Sequence, residues 1–155
     1  MSVAFRRESD EEHKEPKFEL PLPPGPNMVT ARGLALIEAR AAALEAAVAA
    51  ESGDEAREVL KRELRYWNTR RTTAQIAPEP EPGVVGIGSR VRVRMNGKDR
   101  VIDLVGHDEA DPAADRLSFQ APLAWALIGA EEGEKVDFGG RAQAIEIIGI
   151  ETIPD

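Results

Sequence analysis

Between Thr30 and Ile76 the sequence repeats at alternating steps of three and four. Leu34, Ile37, Ala41, Leu44 and Val48 set the pattern, and Leu60, Leu64, Trp67, Arg71 and Ala74 continue it. A seam that narrow belongs to a coiled coil, since a helix lying on a globular core needs a wider apolar stripe. The repeat breaks at Ser52-Gly53-Asp54, so the stretch predicts two helices folded back on each other. Thr30 is placed to cap the first helix. Gly53 suits a left-handed residue that closes it. Ser52 and Glu55 fit a capping box for the second helix, with Asp54 as the alternative cap. Glu58 and Arg62 stand one turn apart and are expected to pair.

The free end of this hairpin is acidic, with Glu51, Asp54, Glu55 and Glu58 at or near the turn. The second helix is the one basic stretch of the chain, carrying Arg57, Lys61, Arg62, Arg65, Arg70 and Arg71. These side chains are expected to make its outer surface positive, and the plain reading of such charges is solvation of the helix.

Boundaries follow from proline. Residues 1–28 join a mixed-charge run, Arg6 to Lys17, to Pro21-Leu22-Pro23-Pro24-Gly25-Pro26. That composition predicts a disordered tail ending in an extended strap, which lies along a partner or along the protein's own body. Residues 29–76 are the hairpin. Residues 77–83, Ala77-Pro78-Glu79-Pro80-Glu81-Pro82-Gly83, form a stiff linker. Residues 84–155 make a second unit. There Arg90-Val91-Arg92-Val93-Arg94 alternates, Asn96-Gly97 supplies a hairpin turn, and Arg100 to Val105 runs back. A short strand at Leu117–Phe119, a short helix opened by Pro122, and strands at 135–138 and 142–150 complete an expected antiparallel sheet. The fold class is α+β.

Composition excludes several classes. The net charge of −8 argues against free-standing DNA binding, which needs a basic face. There is no cysteine, and His13 and His107 are the only histidines, so thiolate and histidine-rich metal sites are out. No apolar run approaches the roughly 20 residues of a membrane span, and the charged N-terminus lacks the apolar core of a signal peptide. The expected location is the cytoplasm.

The second unit carries a specific pattern. Val105-Gly-His-Asp-Glu-Ala-Asp111, Leu117-Ser118, Ala121-Pro-Leu-Ala-Trp-Ala-Leu-Ile-Gly129 and Glu132-Gly-Glu-Lys-Val136 follow in order. The pattern resembles the GreA/GreB transcript-cleavage factors of bacterial RNA polymerase. Val29-Thr30-x-x-Gly33-x-x-x-Ile37 resembles the opening of that family's first helix, and Arg65-Tyr66-Trp67 through Ile76 the end of its second. The resemblance implies an antiparallel coiled-coil hairpin joined to a C-terminal domain of FKBP-like fold. It implies an accessory factor, not an enzyme, that docks at the polymerase secondary channel. Asp108, Glu109, Asp111, Ala121, Pro122 and Leu123 would contact the channel rim. Arg57, Lys61, Arg62 and Arg65 would face the channel, and nucleic acid would be met only through the transcription complex. The protein is expected to be a monomer, away from membranes and with no cofactor of its own.

Two mechanisms stay open within that resemblance. Acidic tip residues of the family assist a second Mg²⁺ at the polymerase active site, and Asp54 matches the pattern, with Glu51, Glu55 and Glu58 near it. Arg57, however, stands where the second functional acid belongs, and a positive charge opposes metal recruitment. The arm is also short for the family, as in the Rnk relatives. Channel occupancy is therefore the leading expectation and transcript cleavage the alternative. From another class, an FKBP-like prolyl isomerase would need an aromatic-lined pocket, and residues 84–155 offer only Phe119, Trp125 and Phe138.

Overall fold

The computed structural model describes residues 19–154. The charged run expected as a tail, Arg6 to Lys17, lies outside them. Helix α1 spans Ala31–Ala50 and helix α2 spans Asp54–Thr73, each of 20 residues. At about 1.5 Å per residue each helix is roughly 30 Å long. They pack on the expected seam: Ile37 and Ala41 are buried, and Leu34, Leu44, Val48, Leu60, Leu64, Trp67 and Ala74 are partly so. Trp67 packs as expected of a seam residue, with Tyr66 edge-on at 5.1 Å and the Arg40 guanidinium 5.3 Å from its ring centre.

One seam position shifts. Arg71 is exposed and Arg70 is buried. A step of three or of four from Trp67 is equally compatible with 3.6 residues per turn, and a buried carboxylate described below draws Arg70 inward. Arg70 is thus removed from the basic outer surface. Glu58 also pairs with Lys61, at 3.6 Å, in place of Arg62.

Short strands close the base of the hairpin. Strand β1 (Met28–Val29) pairs in parallel with β2 (Gln75–Ile76), flanked by Gln75 N–H to Asn27 O at 2.9 Å and Ala77 N–H to Val29 O at 2.8 Å. The chain then crosses Pro78–Pro82 into a five-stranded sheet. Its strands are β3 (Ser89–Met95), β4 (Lys98–Val105), β5 (Arg116–Ser118), β6 (Lys135–Phe138) and β7 (Arg141–Thr152), in the order β5-β4-β3-β7-β6. Asn96 and Gly97 both have positive φ, 53° and 75°, the twist a two-residue hairpin requires. The sheet is mixed, not wholly antiparallel as expected, because β5 runs parallel to β4. The connection through residues 106–115 makes two tight turns and carries the chain back to the start side of β4, which only a crossover allows.

Helix α3 (Pro122–Leu127) covers one face of the sheet. Its Ala124 and Leu127 join Val91, Val93, Ile102, Leu104, Ile145 and Ile147 in the core. The alternation of Arg90, Arg92 and Arg94 with Val91 and Val93 is the reason: one face is dry and the other carries Arg90 paired with Asp103 and Arg94 with Asp99.

Gly106, just after β4, lies against the Met28–Val29 backbone. A Cβ there would stand 2.5 Å from the Met28 carbonyl oxygen, whereas one at Gly149 in β7 meets nothing within 4 Å. Gly106→Ala is expected to lower stability by about 1–3 kcal/mol through forced separation of backbones. Gly149→Ala should stay within about 1 kcal/mol of the parent. Thermal melts of the two variants, each against the parent, check the contrast.

Candidate functional site

Three places concern function: the arm tip, the anchor at its base, and the outer face of α3. The anchor is the most built. Asp108 sits in a 3₁₀ turn after β4, with its side chain 3% exposed. Tyr66 Oη donates to its Oδ1 at 2.6 Å and Arg70 Nε to its Oδ2 at 2.6 Å. Tyr66 and Arg70 are one turn apart on α2 and so present both donors from one helix face. Glu109, 4% exposed, accepts from Thr30 Oγ1 at 2.6 Å, and Arg32 Nε lies 3.8 Å from its other oxygen. Thr30 in turn accepts the Gly33 N–H at 2.9 Å, so one hydroxyl caps α1 and holds the second domain. Asn27 donates to the Arg70 carbonyl oxygen at 2.8 Å.

The Asp108 and Glu109 side chains, which the resemblance implies as channel-rim contacts, point inward and are bonded to the arm. A buried carboxylate must find donors inside the fold, and the hairpin supplies them. Asp111 differs: it is half exposed and 3.4 Å from Arg116 Nη2. Sequence reasoning missed Thr30, Tyr66 and Arg70 as the complement of the acidic loop. The i, i+4 spacing of Tyr66 and Arg70 was the available signal.

The tip is arranged differently from expectation. Gly53 has φ −81°, an extended conformation, not the left-handed one. The helix end is closed instead by Arg57, whose Nε, at 3.1 Å, and Nη2 both donate to the Glu51 carbonyl oxygen. That guanidinium supplies the donor an end-of-helix carbonyl lacks. Glu51 Oε2 accepts the Gly53 N–H at 3.1 Å. No side-chain cap forms at the start of α2, where Asp54 and Glu55 occupy the first turn and complement the helix dipole. Asp54, Glu55 and Glu58 are exposed. Among the described residues no three His, Asp or Glu side chains group to hold a metal. At the tip one acid, Glu51, is bonded to the backbone and the Arg57 guanidinium lies beside it.

Of the basic residues expected to face a channel, Lys61 pairs with Glu58 and Arg65 forks onto Glu19 at 2.7 and 2.9 Å. Arg62 Nε is buried without an acceptor among the described residues.

On α3, Ala121 and Leu123 turn toward the core while Pro122 is exposed. Trp125 is 70% exposed. It lines a shallow apolar groove with Ala77, Pro78, Ile87, Phe119 and Ile128. Positions 124 and 127 face the core, Trp125 lies off that face, and Ile128 follows the end of the helix. Phe138 packs against the core and is not among the groove residues, so the three aromatics do not share a pocket.

A two-helix arm is thus bolted by buried charge to a five-stranded domain. Comparisons with known proteins show what the chain is similar to. The model of "Transcription elongation factor, GreA/GreB, C-term" matches residues 79–152. GreB of Neisseria meningitidis serogroup A is 34% identical over 102 residues, 61% of each chain. GreA of Bacillus anthracis is 39% identical over 75 residues, 45% of this chain and 47% of that one. The GreA/GreB structure from Nitrosomonas europaea aligns at TM-score 0.40 with 21% identity, over 82% of this chain and 98% of that one. An overlap that low says nothing about activity. Residues 79–152 thus match the GreA/GreB C-terminal model, and over part of its length the chain is similar to GreA and GreB transcription elongation factors. It spans from about a third to three fifths of the length of the first curated relatives it matches.

Burial, then the hydrogen bond to Asp108, pushes the Tyr66 phenol well above its ordinary value of 10.0. The folded state thus keeps the proton that the unfolded chain releases near pH 10. Stability from this group is complete below that pH and falls as pH rises above it. Tyr66 is the only tyrosine, so phenolate absorbance reports it alone. The folded protein should show no phenolate signal near pH 10–11 and the urea-unfolded chain should show it. Tyr66→Phe should flatten the alkaline loss of stability.

Asp108→Ala leaves Arg70 buried without its acid and is expected to cost about 3–5 kcal/mol. Asp111→Ala, at an exposed pair, should cost less than about 1 kcal/mol. Urea titrations of both variants test the difference.

Proposed function

We propose that this chain binds RNA polymerase at its secondary channel and regulates transcription by occupying that channel. The reading is supported by the match of residues 79–152 to the GreA/GreB C-terminal model and by one observation at the arm tip. The Arg57 guanidinium is bonded to the Glu51 carbonyl oxygen, in the midst of the acids that would otherwise recruit Mg²⁺. A fixed positive charge there disfavours a weakly held divalent cation. Docking falls to the exposed Pro122, Trp125 and Ile128 face and to Asp111, because Asp108 and Glu109 are spent on the anchor. The partner's nucleic acid is met only within the transcription complex.

The alternative is assisted transcript cleavage. Asp54, Glu55 and Glu58 remain exposed and acidic at the tip, and a metal held mainly by the polymerase would need few ligands from the arm.

Adding the protein to a backtracked polymerase with Mg²⁺ separates the two. Occupancy predicts unshortened RNA together with displacement of an active GreA or GreB. Shortened RNA that disappears in Asp54→Ala and Glu58→Ala would establish cleavage and overturn occupancy. Trp125→Ala is expected to weaken binding about tenfold or more, the loss typical of an exposed aromatic anchor.

A further inference from the structure

Residues 19–27 cross from one proposed polymerase-facing surface to the other. Asn27 is 5% exposed, and beside it Val29 is 2% exposed. The segment before them is held only at its surface. Glu19 meets the Arg65 guanidinium as a two-bond fork in solvent, with side chains 60% and 53% exposed. The Pro24 carbonyl oxygen accepts from Gln120 Nε2 at 2.7 Å, also exposed. Leu20 and Leu22 are 38% and 50% exposed, and none of residues 19–26 is fully buried. An exposed ion pair of this kind holds weakly. The segment is therefore tethered firmly at one end and loosely along its length.

Both loose contacts fall on informative residues. Arg65 belongs to the basic side of the arm, and Gln120 lies two residues before Pro122 of the proposed docking face. Arg62 lies close enough to Glu19 to help hold its carboxyl below the ordinary carboxylate range, after Arg65 itself. The same arm face thus already accepts an extended acidic segment, its own.

We infer that residues Glu19–Pro26 are a displaceable strap that occupies, within the chain, the Arg65 and Gln120 surface that polymerase would engage. The inference rests on the polymerase reading above. Free protein is then partly self-shielded, and binding requires the strap to lift away from its Asn27 hinge. The strap competes with the partner and does not brace the arm.

Polymerase affinity of the full chain, measured for the parent, Glu19→Ala and Gly25→Ala, tests this. Glu19→Ala removes the fork. Gly25→Ala acts at the other contact, because φ there is +84° and a Cβ would stand 2.9 Å from Gln120 Nε2. Each is expected to bind polymerase about two- to fivefold more tightly, the range an exposed pair supports. Amide exchange at Leu20–Leu22 should quicken in both while the Tyr66 titration is unchanged. Unaltered or weaker binding by both variants, with the parent still bound, would overturn the strap and leave the polymerase reading intact. No binding by any of the three would overturn the polymerase reading and the strap's competitive role with it.

Discussion

The buried meeting of Arg70, Tyr66 and Asp108 is the constraint on which the rest of this molecule depends. A two-helix arm of this length has little to bury against a separate domain, and a proline-rich linker alone would leave its direction free. The carboxylate of Asp108 takes donors from Tyr66 and Arg70 at 2.6 Å each, and Glu109 takes the hydroxyl of Thr30 at the same distance. Such bonds are directional. They hold both helices of the arm at once, Thr30 at the start of α1 and Arg70 near the end of α2. A buried ion pair is a weak source of net stability, so its value here is geometric.

The anchor also accounts for motifs at distant places in the chain. Gly33 stands where a Cβ would come within 2.8 Å of Glu109 Oε1, and Gly106 where one would strike the Met28 carbonyl. Thr30-x-x-Gly33 and Gly106-His-Asp-Glu109 are therefore two halves of one joint. Neither half has an evident purpose without the other. Asp108 and Glu109 of the acidic loop are withdrawn from solvent, while Trp125 on α3 stays exposed.

The tip shows the opposite economy. Arg57 closes α1 by bonding to Glu51, a local solution that needs no left-handed residue at Gly53. That single side chain both completes a helix end and lowers the negative potential of an acidic turn.

Much of the fold was legible in residues. The seam from Leu34 to Ala74, the Thr30 cap, the Asn96-Gly97 hairpin and the Arg–Val alternation of β3 each follow from local periodicity or from a turn that few residue types permit. The parallel placement of β5, the choice of Arg70 over Arg71, the burial of Asp108 and Glu109 and the exposure of Trp125 depend on neighbours far along the chain. An acidic loop reads the same whether it meets water or a buried arginine. Helical spacing alone cannot choose between adjacent residues when 3.6 lies between three and four. Local steric and hydrophobic rules thus determined which elements form. Only the packing of one domain against the other decided which charges are spent inside and which are left for a partner.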